Sequence, residues 1–444
     1  MSIPLERRAA ARIEAGEPSR PQPPAKDIDL YSSERYGEAT SVRLPREQDI
    51  PGGPMFTQTA DQDLLEATTE QYLAATYPPT RIRELSRQDS TFDPVLWKRG
   101  AELGWTSLLV PEGSGGGSVS GNGLADLLAV AFQFGRHAAP GPLIGTNVVA
   151  AALGRWGSKE RHGGPLAELL DGAATAAWGY SPGTGPRAGA AVRATRSSDG
   201  LLLDGVVPCV ESGAPNGYLL VAASDGNTAA GGDDARSHYL VPLDAPGVRT
   251  SPLGGIDLTR RHVSVTLQGV AVPATAQVGE PGSADDHDEL LLDLTAVLQA
   301  GEIVGAMERA FAMTLRWVQD RYSFGRPLGS YQEIKHRMAD LRTQLEASAA
   351  VTEKAARRVG EGAPDARSWA SAAKAHVGRV GPEVIQDCVQ LHGGIGITFE
   401  HDLHLHLRRA TLDAQLFGTP AAFADRLVGL TETALTETAR DGGK

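Results

Sequence analysis

From Leu290 to Arg321 the chain runs about thirty residues without a proline, with a helical pattern throughout. A helix of that length must bury a face along its whole run, and its natural partners are other long helices. Such partners follow it: Gln332–Gly360, Trp369–Leu391 with Gly381-Pro382 as the place for a kink, His401–Gln415 and Pro420–Ala434. Upstream the period changes to that of short strands: Ala190–Arg196, Leu201–Leu203, Tyr218–Ala223, Ser237–Pro242 and Val263–Leu267, with Ser198-Asp199-Gly200 and Asp244–Gly247 as turns. No helix of useful length interrupts them, so an antiparallel barrel or sandwich is expected rather than a parallel βαβ sheet.

Before the strands the chain is helical again. Ala60–Tyr77, a helix capped by Asp93 with Pro94 at its first position and stopped at Leu103-Gly104, Leu124–Gly135, Leu143–Leu153 and Leu166–Leu170 are the expected elements. Residues 1–54 carry no apolar periodicity and are broken by Pro18–Pro24 and Pro51–Pro54. They read as a mobile extension. The expected class is α+β: extension 1–54, N-terminal helical domain 55–176, central β-domain 177–287, and a C-terminal four-helix-type bundle 288–444.

Composition excludes several functions. A formal charge of −12 argues against non-specific nucleic-acid binding, which needs a basic surface. No apolar run reads as a membrane span of ~18–20 residues, and Arg7-Arg8 leads into no signal-peptide core. Cys209 and Cys388 stand far apart and outside any C-x-x-C pattern, which suits two free thiols in a reducing cytoplasm.

Gln390-Leu391-His392-Gly393-Gly394-Ile395-Gly396 carries three glycines within four residues, and Glu400 follows. Bare glycine amides can approach a phosphate, and Gln390 can offer its amide to a polar ligand. The same pattern also fits a plain glycine cap between two helices with a solvated acid beyond it. His401, His404 and His406 form no H-E-x-x-H pattern and read as polar packing or a channel wall. Asp257-Leu258-Thr259-Arg260-Arg261 reads as a solvated hairpin tip, and Glu302 as structural.

Helices, a β-domain and a bundle, with Arg321-Tyr322-Ser323-Phe324-Gly325-Arg326-Pro327 between the first two bundle helices, resemble the acyl-CoA dehydrogenase family. Ala101–Trp105 with Val110-Pro111-Glu112 is similar to that family's N-terminal signature, and Val270–Pro273 with Gly279 to the end of its β-domain. Gln332, His336 and Ala339-Asp340 extend the resemblance, which covers about residues 55–435. It implies a tetramer with FAD between subunits, as homotetramer or as heterotetramer with a paralogous subunit. Arg321, Ser323 and Phe324 would reach the pyrophosphate and adenine of a neighbour's FAD, and Gln390, Gly393 and Gly394 would take the corresponding place from the other side. Thr419, in Gly418-Thr419, resembles part of an E-G-T-S segment that contributes to the cofactor site.

The resemblance further implies α,β-desaturation of an acyl-CoA thioester: Glu400 as the base that takes the α-proton, hydride from Cβ passing to flavin N5, and an electron-transferring flavoprotein as acceptor. Against the family pattern, the ring-holding loop reads Trp178-Gly179-Tyr180-Ser181-Pro182-Gly183-Thr184-Gly185, with Ser181 and Thr184 as substitute hydroxyls. The second ring contact reads Pro208-Cys209-Val210-Glu211-Ser212; Phe417 replaces the acid of E-G-T-S, Pro420 its serine, and Arg409 the acid usual after Arg408. These departures leave two expectations, an active dehydrogenase with a remodelled pocket, or a subunit sharing FAD sites with a partner, the plan of some steroid side-chain enzymes. Truncation of residues 1–54 is expected to leave folding intact, checked by thermal denaturation of the shortened protein.

Overall fold

The computed structural model describes residues 55–88, 90–180, 192–198, 200–214, 216–224 and 235–441. Six helices come first: α1 (Ala60–Thr76), α2 (Pro79–Leu85), α3 (Pro94–Glu102), α4 (Gly123–His137), α5 (Leu143–Trp156) and α6 (Lys159–Leu170). Their ends obey local chemistry. Thr59 and Gln62 close a reciprocal capping box on α1. Asp93 accepts from the amides of Val95 and Leu96 at the start of α3, with Pro94 at its first position. The α2 turn is too short to show a period and was not expected from the sequence.

Eight strands follow: β1 (Ala176–Gly179), β2 (Val192–Ser197), β3 (Gly200–Glu211), β4 (Tyr218–Ser224), β5 (Arg236–Pro242), β6 (Val248–Leu253), β7 (His262–Val272) and β8 (Gln277–Val278). They form one sheet in the order β6-β7-β3-β2-β4-β5-β8, with β1 added against β4. The expectation of a purely antiparallel sheet is corrected here. The β1–β4 pairing is parallel, and β2 meets β4 in parallel at Arg193 and Ser224. The strands alternate as buried strands must. On β4, Leu219, Val221 and Ala223 join Leu203, Val207, Val265 and Leu267 in a core internal to the sheet. Leu220 faces the opposite way, into the helical core with Trp178 and Leu240. The register shifts in β3 between Leu203 and Gly205 and between Val207 and Val210. Such bulges bend a strand.

The C-terminal helices are α7 (Ala284–Asp320), α8 (Gln332–Gly360), α9 (Ala366–His392), α10 (Leu403–Gln415) and α11 (Pro420–Asp441). Contrary to the composition-level reading, α7 is long and apolar enough to cross a membrane. Ninety-four per cent of its apolar window is buried inside the protein, so it is the axis of the helical core. At Gly381-Pro382, the expected place for a kink, α9 runs on as one helix. A Cβ on Gly381 would sit 2.2 Å from Ile303 Cγ2, so that glycine serves the close approach of α9 to α7.

The crossing of α4 and α7 is tighter still. A Cβ on Gly135 would lie 1.8 Å from the Glu302 carbonyl, and one on Gly305 2.0 Å from the Phe132 carbonyl. Gly305→Ala is expected to cost ~1–3 kcal/mol or more, as overpacking of a rigid core does, because backbone rather than a mobile side chain must give. Denaturant unfolding of the variant checks it.

Candidate active site

The segments that the resemblance assigns to a flavin ring converge. Trp178 and Tyr180 at the end of β1, Pro208 to Glu211 at the end of β3, and Phe417 to Thr419 between α10 and α11 line a cavity of about 360 Å³. Ile144 and Gly145 of α5 and Gln299 of α7 complete its wall. Ser181 and Thr184 lie outside the described residues. Trp178 stacks on Phe417, with centroids 5.6 Å apart and planes 12° apart, and Tyr180 packs 4.8 Å from Trp178. Phe417 reaches this wall through a left-handed backbone, φ 60°, an uncommon conformation for an aromatic residue. The turn is held from below. The buried Lys374 ammonium donates to Gln299 Oε1 at 2.6 Å, to the Leu416 carbonyl at 3.1 Å and to the Asp413 carbonyl. Burial brings its pKa down to about 7. Thr419 is exposed, and its hydroxyl accepts from the Ala422 amide, capping α11.

The cavity floor is ionic. Arg260 pairs with the buried Glu302 at 2.5 Å and Asp413 at 3.3 Å and with the half-buried Glu211 at 3.2 Å. Arg409 of α10 donates to Asp257 at 2.5 Å and to the Ala139 carbonyl at 2.9 Å. The expected hairpin tip at 257–261 is thus corrected: Asp257, Thr259 and Arg260 are buried, and they turn inward because α7 and α10 present opposite charges there. Glu302 is fully buried. Arg408, the sequence neighbour of Arg409, donates to the Ile256 carbonyl at 3.1 Å. Burial pushes the Glu211 carboxyl up to about 7, with Arg260 opposing and Glu302 reinforcing the rise. Asp257 moves the other way: burial opposes ionisation, but the Arg409 and Arg260 charges outweigh it.

The expected dinucleotide residues lie on exposed surface. Tyr322-Ser323 pairs with Arg326-Pro327 in a small hairpin, and Phe324 and Gly325 at its tip have φ 51° and 82°. Phe324 is 98% exposed. The exposed Arg321 lies with its guanidinium carbon 5.8 Å from the Trp317 ring centroid, and the Tyr331 hydroxyl donates to the Ser323 carbonyl at 2.9 Å. Gln390, Gly393 and Gly394 are exposed at the end of α9. Gly393 has φ 66°, and nothing lies within 4 Å of where a Cβ would stand on it or on Gly394. Gly396 is different in kind: a Cβ there would meet the Val389 carbonyl at 2.6 Å.

Glu400 stands apart from the cavity. It is exposed on the turn before α10, its own carbonyl accepts from Arg83 at 2.6 Å, and Arg83 also pairs with Asp402. The structure does not bring its carboxylate to the wall where the ring segments meet. Nor does this chain supply the partial desolvation that a thioester base requires. His392, His401 and Trp317 pack ring against ring, and the buried His406 is brought down to about 3 by burial first and Arg309 second.

Residues 59–173 match the acyl-CoA dehydrogenase N-terminal domain and residues 289–424 the acyl-CoA dehydrogenase C-terminal domain. The acyl-CoA dehydrogenase IpdE2 of Mycolicibacterium smegmatis is 31% identical over 83% of this chain and 97% of its own length. This chain belongs to the acyl-CoA dehydrogenase family, oxidoreductases acting on acyl-CoA. FadE27 of Mycobacterium tuberculosis is 28% identical over 80% of this chain and 92% of its own. Among solved structures, a variant of the Tcur3481-Tcur3483 steroid ACAD superposes with TM-score 0.73 at 27% identity, covering 84% of this chain and 98% of that one. The ChsE4-ChsE5 complex from Mycobacterium tuberculosis gives 0.72 at 26%, covering 84% and 97%.

For an acyl-CoA dehydrogenase the residues fit FAD, the cofactor of the family. Open glycine amides and an exposed arginine suit its phosphates, and an aromatic-walled slot suits a planar ring. Arg260, Asp413 and Gln299 were missed as cavity residues because their partners are distant in the chain. Arg260→Leu would leave the buried Glu302 and Asp413 without their cation and is expected to cost ~3–5 kcal/mol, as loss of one partner of a buried pair does, measured by chemical denaturation.

Proposed function

We propose that the protein is an FAD-sharing subunit of a heteromeric acyl-CoA dehydrogenase that desaturates an acyl thioester between Cα and Cβ. The observation that carries this reading is Phe417. The cavity built from the ring-contact segments has an aromatic side chain where the E-G-T-S acid would stand, and its own carboxylates are tied to Arg260. The exposed Arg321, Phe324, Gln390, Gly393 and Gly394, with the half-buried Ser323, are then a docking surface for a dinucleotide held jointly with a partner. Bound FAD supplies the two-electron oxidant. Arg321 contributes charge-assisted hydrogen bonds to its pyrophosphate, and the partner contributes the base. The names of the steroid ACAD and of the ChsE4-ChsE5 complex support a paralogous partner and a steroid-type thioester. An electron-transferring flavoprotein is the acceptor, and a reducing cytoplasm suits the free Cys209 and Cys388.

A second reading keeps an active homotetramer with Glu400 as base. What favours it is the Arg83 clamp, which fixes the Glu400 turn, with Glu400 exposed like Gln390 and Gly393. A neighbour covering that turn would desolvate the carboxylate.

Glu400→Gln separates the two. In the assembled, flavin-loaded oligomer, anaerobic mixing with a thioester that bleaches the wild type is expected to bleach the variant at a similar rate if the partner carries the base. A fall of about 10²–10⁴-fold, the worth of a general base, would establish the homotetramer reading instead. Arg321→Ala is expected to weaken FAD binding to the assembled oligomer by ~1.5–3 kcal/mol, the range for a hydrogen bond to a charged group. Fluorescence titration with limiting FAD measures it.

A further inference from the structure

One guanidinium, that of Arg260, carries three carboxylates from three separate elements: the half-buried Glu211 of β3, and the fully buried Glu302 of α7 and Asp413 of α10. The other charges around them do not balance the excess. Arg409 is committed to Asp257, and Lys374 is the remaining buried cation among the described residues. Its ammonium is spent on the Gln299 side chain and on two backbone carbonyls, with no carboxylate oxygen among them. His262 of β7, which lines the same cavity, is held neutral by burial and by the Arg260 charge, its pKa brought down to about 4. Arg260 is thus the one charge bound to two fully buried carboxylates, Glu302 and Asp413, and a single guanidinium does not neutralise both.

Two oxygens mark where the excess lies. Oε2 of Glu302 and Oδ2 of Asp413 are both buried and accept no hydrogen bond from the protein. The two carboxyl groups sit side by side on Arg260, Glu302 at 2.5 Å from one terminal nitrogen and Asp413 at 3.3 Å from the other. Two carboxylates cannot hydrogen-bond, since both only accept. A carboxylic acid and a carboxylate can.

We propose that Glu302 and Asp413 form an acid pair holding a single proton beneath the cavity, with Asp413 as the positioning residue that keeps the cavity floor electrically neutral. Asp413 lines the cavity, so the held proton decides what that cavity accepts. A floor with net negative charge would select a cation. A neutral one takes a carbonyl-bearing group, either a thioester or the imide edge of a flavin ring. That consequence rests on the functional reading above, whereas the acid pair itself does not. Burial first, then the nearby Glu302 charge, hold the Asp413 carboxyl well above its ordinary range, in the direction the geometry requires.

Infrared spectroscopy of the full-length protein at neutral pH tests the pair without reference to flavin content or turnover. The wild type is expected to show the C=O stretch of a buried protonated carboxyl. Both E302Q and D413N should lose it, because either carboxamide supplies the missing donor and lets the remaining acid ionise. Stability against pH gives a second readout. A carboxyl whose pKa is raised on folding binds its proton more tightly in the folded state. Wild-type stability therefore falls as pH rises above the ordinary value of 3.8, until the folded group also titrates. D413N should lack that slope and match the wild type near neutral pH. Absence of the band from the wild type, or its undiminished survival in both variants, overturns the proposal. If one variant fails to fold, loss or survival of the band in the other decides the matter, since the raised carboxyl of Glu211 is present in both.

Discussion

The ion cluster around Arg260 is the constraint on which the remaining architecture depends. It ties the loop between β6 and β7 to the end of β3, to the middle of α7 and to the end of α10. Burying such charges is costly, and geometry must repay the cost with close contacts from several directions. The glycines at the α4–α7 crossing serve that geometry. Gly135 lets α4 ride against the Glu302 backbone, which fixes the height at which the Glu302 side chain meets Arg260.

From that floor upward the cavity is built by packing. Lys374 binds the carbonyls at the end of α10 and so sets where the chain leaves the helix. The favourable contact between a cation and a helix C-terminus works here in an enclosed setting. The chain then turns through Phe417 and Gly418, both at positive φ, and stacks Phe417 on Trp178. Gly418 has little freedom to change, since a Cβ there would meet the Phe423 ring at 2.9 Å. An aromatic wall over a compensated ionic floor suits a planar, carbonyl-rich ligand better than a free ion.

The polar residues of the dinucleotide set obey a different logic. They sit on hairpin and turn residues outside the core, where backbone amides are open and Phe324 and Ile397 stand exposed. Apolar side chains at such exposure beside open amides suit a surface completed by another body. The interior thus fixes the cavity and its charge, and the exposed loops carry the open amides.

Periodicity is a local property, and it was legible. The order of helices, strands and bundle came from it, and α8 spans Gln332–Gly360 as expected. The Asp93-Pro94 start of α3 was equally readable, because a cap is decided by its own few residues. Short or edge elements were not: β6 (Val248–Leu253) has little apolar alternation, and its residues are largely exposed. The sequence also determined the family, through motifs in a fixed order along the chain. Tertiary structure alone decided the site. Arg260 meets Glu302 across 42 positions and Asp413 across 153, so a segment that reads as a solvated hairpin tip becomes the centre of the core. The family resemblance implies Glu400 as a base, and in the fold of this chain it is an exposed residue on a clamped turn. Burial, which sets what a carboxylate can do, depends on the distant elements that fold over it.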